Sequence, residues 1–220
     1  MHPYSVNDGR KIKVYVTIFL VILTSILYSF FQYIGILDIL EKLENSFDLL
    51  SPLIDWGFVS IVITPMVIFG FFYFIFNTYI WKWKVVNKII GIPNVNGEYK
   101  GLLISSYINK ETGLKIDPIE MVLIVSQTFE SIKFISKFPN APSTSVSNMG
   151  GLMSCENGIA EFIFAYSNKS RDITIENDRH EGMNILRFDL KNGIVEGEYF
   201  NNRGEKPNKG NMELQKSESI

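Results

Sequence analysis

The pattern of hydrophobic and polar positions divides the chain into two regions that meet near residue 91. Before this point lie two long apolar runs, 14–37 and 56–81, which are separated by a short acidic segment. After residue 97, short segments alternate apolar and polar side chains with a period of two, the pattern of half-buried β-strands. The sequence therefore predicts a helical apolar region followed by an all-β domain.

Both apolar runs are long enough to cross a membrane. Val14–Leu37 contains no charged residue, and its 24 residues would form a helix of about 36 Å, against a hydrocarbon core of about 30 Å. The run is too long for the apolar part of a signal peptide, and no cleavage site follows it. Trp56–Trp81 contains Pro65, which we expect to kink a membrane helix without ending it. We predict a hairpin of two transmembrane helices.

Basic residues flank the outer ends of this hairpin. They are Arg10, Lys11 and Lys13 before the first run and Lys82, Lys84 and Lys88 after the second. The connecting segment Asp38–Asp55 has one basic residue among several acidic ones. Because positive charge marks the cytoplasmic side of membrane proteins, we predict that both termini and the β-domain lie in the cytoplasm.

The region after the hairpin contains eight strand candidates. They span about 97–108, 119–128, 130–138, 143–153, 158–167, 182–189, 193–200 and 209–215. Turn-forming residues separate them, and two of the turns contain Asn-Gly, which favours tight hairpins. We predict an eight-stranded up-and-down antiparallel β-barrel, with a two-sheet sandwich as the alternative. The predicted domains are a membrane region at 1–90, a linker at 91–96 and the barrel at 97–220.

The alternation also assigns strand faces. In the first strand, Glu98 and Lys100 point outward, so Tyr99 points inward. The same argument places a set of aromatic and hydroxyl side chains in the interior: Tyr107, Phe134, Ser136, Phe162, Phe164, Tyr166 and Tyr199. An eight-stranded barrel has room for packed side chains or for one small ligand.

Composition excludes several classes of function. A net charge of −2 gives no general attraction to DNA or RNA. Cys155 is the single cysteine, so no internal disulfide forms, and neither His2 nor His180 has a partner at metal-ligand spacing. Met149-Gly150-Gly151 lacks the Lys-Ser/Thr ending of a phosphate-binding loop. We expect no enzymatic activity, no metal site and no nucleic-acid polymer as partner.

Three polar segments are candidates for ligand contacts. Ser145 and Ser147 lie on one strand, and their hydroxyls suit a phosphate or a base edge, although a polar edge strand fits equally well. His180 opens a strand, where a turn role is the simpler interpretation. Tyr199 and Arg203 combine a stacking surface with a guanidinium, although a barrel plug and a surface arginine fit as well.

Several short motifs follow the two apolar runs in a fixed order. They are Asn-Gly-Glu-Tyr-Lys-Gly at 96–101, Ser-Gln-Thr-Phe-Glu-Ser-Ile at 126–132, Ser-Thr-Ser-Val-Ser at 143–147, Phe-Ala-Tyr at 164–166, His-Glu-Gly at 180–182 and Gly-Glu-Tyr-Phe at 197–200. Together they resemble the two-transmembrane, β-strand-rich effectors of bacterial CBASS antiphage operons.

The resemblance implies a function that composition and periodicity do not supply. In that family a small β-barrel senses a cyclic dinucleotide, the protein oligomerises, and its membrane segments disrupt the bacterial inner membrane, which causes abortive infection. The implied partners are the cyclic dinucleotide, the lipid bilayer and further copies of the chain, with no cofactor. The ligand-binding residues would be Tyr107, Ser145, Ser147, His180, Tyr199 and Arg203. The alternatives are a membrane-tethered barrel that binds a lipid or other apolar ligand without toxicity, and a scaffolding protein with a packed barrel.

Overall fold

The computed structural model describes residues 1–6, 11–35, 64–109, 112–140, 143–170, 180–202 and 208–217. The chain forms two compact units. One unit is Lys11–Trp81, and the other combines Met1–Arg10 with Lys82–Ile220. The first residues of the chain therefore belong to the same unit as the β-domain, whereas the sequence pattern assigned them to the membrane region.

The first unit contains two helices that contact one another. Helix α1 spans Ile12–Tyr33 and is, among the described residues, the one helix long and apolar enough to cross a membrane. Helix α2 spans Pro65–Thr78. Residues 56–63, the first part of the predicted second span, lie outside the described residues. The second membrane crossing therefore stays a prediction.

The predicted kink at Pro65 is wrong, because helix α2 begins at this residue. The hydroxyl of Thr64 caps the helix and accepts a hydrogen bond from the backbone N–H of Val67. Proline is favoured in the first turn of a helix, where a backbone N–H has no partner within the helix and its absence is harmless. The cap and the proline thus define a helix start rather than a bend.

The segment that enters the β-domain is packed rather than free. A short 3₁₀ turn at Ile80–Lys82 precedes helix α3, Lys84–Ile90, which ends at Gly91 in the left-handed conformation. The predicted linker follows, and its side chains Ile92 and Val95 are fully buried. This segment is therefore part of the folded β-domain.

Among the described residues, nine strands form the sheet of the second unit. They are β1 (His2–Val6), β2 (Gly97–Ser105), β3 (Ile119–Gln127), β4 (Ser131–Lys137), β5 (Ser143–Glu156), β6 (Ile159–Ser170), β7 (Glu181–Asp189), β8 (Ile194–Asn201) and β9 (Asn208–Lys216). Strands β2 to β9 correspond to the eight predicted strands. The predicted count of eight is wrong because it omits β1.

The strand pairings close the sheet into a ring. Strands β2 to β9 pair in chain order as antiparallel neighbours, and β9 pairs with β2. Strand β1 lies between β4 and β5, antiparallel to the first and parallel to the second. The up-and-down order of the eight sequential strands is therefore present, with one additional strand inserted. The continuous ring differs from the two separate sheets of a sandwich.

Large side chains fill the interior, and glycines stand opposite several of them. The rings of Phe134 and Phe164 stack at 4.1 Å, and Phe162 and Phe188 meet edge to face at 5.7 Å. Five interior glycines each pair across strands with a bulky residue, in the pairs Gly101–Leu214, Gly150–Phe164, Gly182–Tyr166, Gly197–Leu186 and Gly210–Tyr199. A Cβ at any of these glycines would overlap neighbouring atoms. The close packing of these five bulky residues therefore depends on the missing side chains.

Replacing a core aromatic tests this packing. Phe134→Ala should lower the free energy of unfolding by about 3–5 kcal/mol, because Phe134 is 1% exposed and its ring is stacked. The matched change Phe200→Ala removes a ring that is 41% exposed and should cost about 1 kcal/mol or less. Near-ultraviolet circular dichroism of the full chain in detergent would follow unfolding. Equal losses for the two variants would contradict a packed interior around Phe134.

Candidate ligand-binding site

Most of the buried polar side chains of the sheet interior lie at one end, whereas the middle is mainly aromatic and aliphatic. At this polar end β2, β4, β6 and β8 finish, and β3, β5, β7 and β9 begin. Its buried side chains carry hydroxyl and amide groups: Ser105, Ser136, Ser145, Ser147, Tyr166, Asn168, Asn184 and Tyr199. Buried polar groups need hydrogen-bond partners, so this end carries the specific contacts of the interior.

Tyr199 is held in place within the polar end. Its hydroxyl donates a 2.8 Å hydrogen bond to the Oγ of Ser105, which also accepts a hydrogen bond from the backbone N–H of Tyr107. The ring lies against Gly210, where a Cβ would overlap it. Tyr107 itself follows the end of β2 and is 40% exposed, so the predicted inward orientation of this residue is wrong.

The two predicted serines of β5 are already engaged in contacts within the protein. The Oγ of Ser145 accepts a 2.9 Å hydrogen bond from the side-chain amide of Asn168. The Oγ of Ser147 accepts a hydrogen bond from the backbone N–H of Phe134 and bonds the Nε2 of His2 at 2.8 Å. Both hydroxyls are buried, and β5 has neighbours on both sides, so a polar edge strand is also excluded.

Tyr166 joins His180 to this network. The two rings meet edge to face with their centroids 6.4 Å apart. Burial raises the pKa of Tyr166 to about 12, and a side-chain hydrogen bond with Asn201 partly offsets this rise. The phenol therefore remains neutral at physiological pH and keeps its proton. The structure thus brings His180, Ser147 and Tyr199 to one end of the sheet, with Tyr166 among them.

Asn184 is a candidate contact that the sequence analysis missed. Its side chain is buried, and the Oδ1 has no hydrogen-bond partner among the described residues. Leaving a buried acceptor unpaired costs about 1–3 kcal/mol, so a donor supplied by a ligand would be favourable here. Asn184 stands directly opposite Tyr199 in the β7–β8 pairing. The strand alternation, which points Leu186 and Phe188 inward, could have identified it.

A groove of about 300 Å³ opens at the same end of the sheet, between the ends of β2, β8 and β9. Its lining combines the interior side chains Ser105 and Tyr199 with outer ones: Ile104, Ser106, Lys115, Glu198, Phe200, Lys209 and Asn211. The volume lies at the lower end of the range for small-molecule sites, about 300–1,000 Å³. We refer to it as the β2–β8–β9 groove.

The groove offers the groups that a phosphate and a base require. Lys115 and Lys209 supply ammonium donors for an anion. The exposed ring of Phe200 provides a stacking surface, and Asn211 can bond a base edge. Among the predicted ligand residues that the structure describes, Tyr199 is the one that lines the groove. Arg203 lies outside the described residues.

A comparison with known protein families identifies the family to which the β-domain is similar. Residues 90–216 match the family model described as Cap15, cyclic dinucleotide receptor domain. The match covers β2 to β9 and leaves out β1, α1 and α2. No curated protein matches the chain.

The raised pKa of Tyr166 predicts how stability depends on pH. The folded state holds the proton up to a pKa of about 12, above the ordinary value of 10.0, so the unfolded state loses it first as pH rises. The stability that this group contributes is complete below pH 10.0 and is lost as pH rises towards 12. Tyr166→Phe should therefore make the alkaline fall in unfolding free energy less steep, as measured by denaturant titration. An identical slope would contradict the assignment.

Proposed function

The chain belongs to the Cap15 cyclic dinucleotide receptor family, and we propose that it is a CBASS effector whose β-domain binds the ligand at the β2–β8–β9 groove. Ligand binding would assemble several copies, and their helices would then disrupt the bacterial inner membrane and abort infection. The observation that carries the position of the site is the groove itself, which combines two lysines and an exposed aromatic ring within the matched domain.

Local chemistry rather than overall charge supports binding of an anion here. The whole chain carries a net charge of −2, which gives no long-range attraction. The ammonium groups of Lys115 and Lys209 supply two positive charges in the groove, against the one negative charge of Glu198. Binding of a cyclic dinucleotide would then depend on short-range, charge-assisted hydrogen bonds and on stacking against Phe200.

The polar end offers a second set of contacts beneath the groove. Tyr199 lines the groove and pairs with Asn184 across β7 and β8, and the Oδ1 of Asn184 has no hydrogen-bond partner among the described residues. A base donor that displaced the hydroxyl of Tyr199 from Ser105 would gain access to this acceptor. Such an exchange would favour one base over another, because an unpaired buried group penalises the wrong partner.

Lysine substitutions test the groove. We expect Lys209→Ala and Lys115→Ala each to weaken binding of the cognate cyclic dinucleotide about tenfold or more, since each removes a charge-assisted hydrogen bond. The measurement is calorimetric titration of the full chain in detergent with cyclic di-AMP, cyclic di-GMP, cyclic di-UMP and cyclic GMP–AMP.

Lys100→Ala is the matched control. This lysine lies towards the other end of β2, and its ammonium pairs with Glu98 at 3.0 Å. The control should bind as the unmodified chain does. If the groove variants retained full affinity for a ligand that the unmodified chain binds, the site would have to lie elsewhere on the domain. If no member of the panel bound the unmodified chain, the proposed ligand class would lose its support.

The membrane role is proposed for helix α1. An arginine at the centre of a membrane helix costs about 2.5–3.5 kcal/mol on insertion scales, whereas helix ends tolerate it at the interface. Ile22→Arg, in the middle of α1, should therefore abolish loss of membrane potential and cell killing while preserving ligand binding. Tyr33→Arg, at the end of α1, is the control and should retain killing. A toxic Ile22→Arg variant would contradict a membrane-crossing role for α1.

The packed interior weighs against the alternative of a tethered lipid binder. Phe162 contacts both Phe134 and Phe188, and Phe134 stacks on Phe164. An acyl chain that entered the interior would have to displace these rings.

A further inference from the structure

Strand β1 occupies a slot between β4 and β5. These two strands pair with each other directly only where Ile135–Lys137 meets Thr144–Val146. Beyond that point β1 lies between them, with His2 and Pro3 opposite β4 and with Tyr4–Val6 opposite Gly150–Leu152 of β5. The ring is therefore closed at this position by a segment from the other end of the chain.

The slot is specific for the side chains of β1. Tyr4 is 4% exposed, and its hydroxyl accepts a 3.1 Å hydrogen bond from the side-chain amide of Gln127. His2 bonds the hydroxyl of Ser147, as described above. Ser5 lies directly against Gly151, where any side chain would overlap it. The slot thus accepts one short strand in one register.

The covalent route from β1 to the rest of the sheet runs through the helical unit. Residues 7–11 connect Val6 to the start of α1 at Ile12. No turn joins β1 to β4 or β5, which lie more than a hundred residues further along the chain. The slot therefore recognises β1 by its contacts alone. The β1 of a second copy would make the same contacts.

We propose that the slot is a strand-acceptor site and that, in the ligand-bound assembly, it holds β1 of a neighbouring copy. This inference rests on the proposed ligand-induced assembly and identifies the contact that would join one copy to the next. Exchange of an identical element between copies is a low-cost route to oligomers, because every native contact is re-formed. An emptied slot would expose the unpaired edges of β4 and β5, which are ready-made templates for another strand. Because only five residues join β1 to α1, β1 would move with α1 when the α1 helices of several copies come together.

A disulfide can test which copy supplies the strand. A Cβ built on Gly151 lies 3.6 Å from the Cβ of Ser5, within the range of about 3.5–4.5 Å found in disulfides. In a Cys155→Ser background, Ser5→Cys with Gly151→Cys would lock β1 into its own slot on oxidation. Oxidation of this double variant should abolish ligand-induced assembly, and reduction should restore it.

Two single-cysteine chains test exchange directly. The donor chain carries Ser5→Cys, and the acceptor chain carries Gly151→Cys with Ser5→Ala, which removes the hydroxyl that would overlap the new side chain. Both carry Cys155→Ser. When co-expressed and oxidised, these chains can cross-link only between copies. We expect cross-linked dimers to be the major species with the cognate cyclic dinucleotide of the panel and to stay at background without it.

The control keeps Cys155, which lies on β5 four residues beyond Gly151 and out of register with Ser5. Ser5→Cys in this background should give no dimer. The exchange is overturned if the ligand assembles the oxidised double variant as well as the reduced one, or if donor and acceptor chains stay uncross-linked in a ligand-bound assembly. Calorimetry on the same samples separates the two hypotheses. Absent binding refutes the proposed function, whereas binding and assembly without cross-links refute the exchange alone.

Discussion

The buried side-chain amide of Gln127 is the interaction on which the β-domain's connections depend. The residue is 2% exposed, and its Oε1 accepts a hydrogen bond from the backbone N–H of Val95. Its Nε2 donates to the carbonyl of Pro93 and to the hydroxyl of Tyr4. One amide therefore holds both the segment that enters the domain from α3 and the strand that precedes α1. Its loss would leave several buried polar groups unpaired, at about 1–3 kcal/mol each.

A second constraint, the close packing of large side chains, fills most of the interior. Rings such as those of Phe134 and Phe188 pack against one another, and glycines opposite Phe164, Tyr166 and Tyr199 make room for these larger side chains. Apart from Gln127, most of the buried polar side chains lie at one end, where the acceptor of Asn184 is unpaired among the described residues. The groove opens at that end. Packing thus leaves open space at the rim of the sheet rather than at its centre.

The alternation of side chains was sufficient to predict eight strands and the inward orientation of Tyr99, Phe134 and Tyr199. The recognised family was confirmed by the match over 90–216. Strand β1 could not be read from the sequence, because it has only five residues and its partners in β4 and β5 lie more than a hundred residues away. Because β1 was not predicted, Ser147 was selected as a ligand contact, although His2 of β1 bonds its hydroxyl. Nothing in the sequence favoured the selection of Lys209, which lines the groove, because a lysine on the outer face of a strand is usually a solvated surface residue.

The position of β1 also restricts how the chain can thread through a bilayer. A sheet that contains both β1 and β2 lies wholly on one side of a membrane, so the chain between Val6 and Gly97 must cross an even number of times. If α1 crosses once, the chain has to return before α3 leads into β2. This parity follows from strand pairing and is independent of the distribution of lysine and arginine. With an odd number of crossings, β1 would lie on the opposite side of the membrane from β2 to β9 and could not pair with β4 and β5.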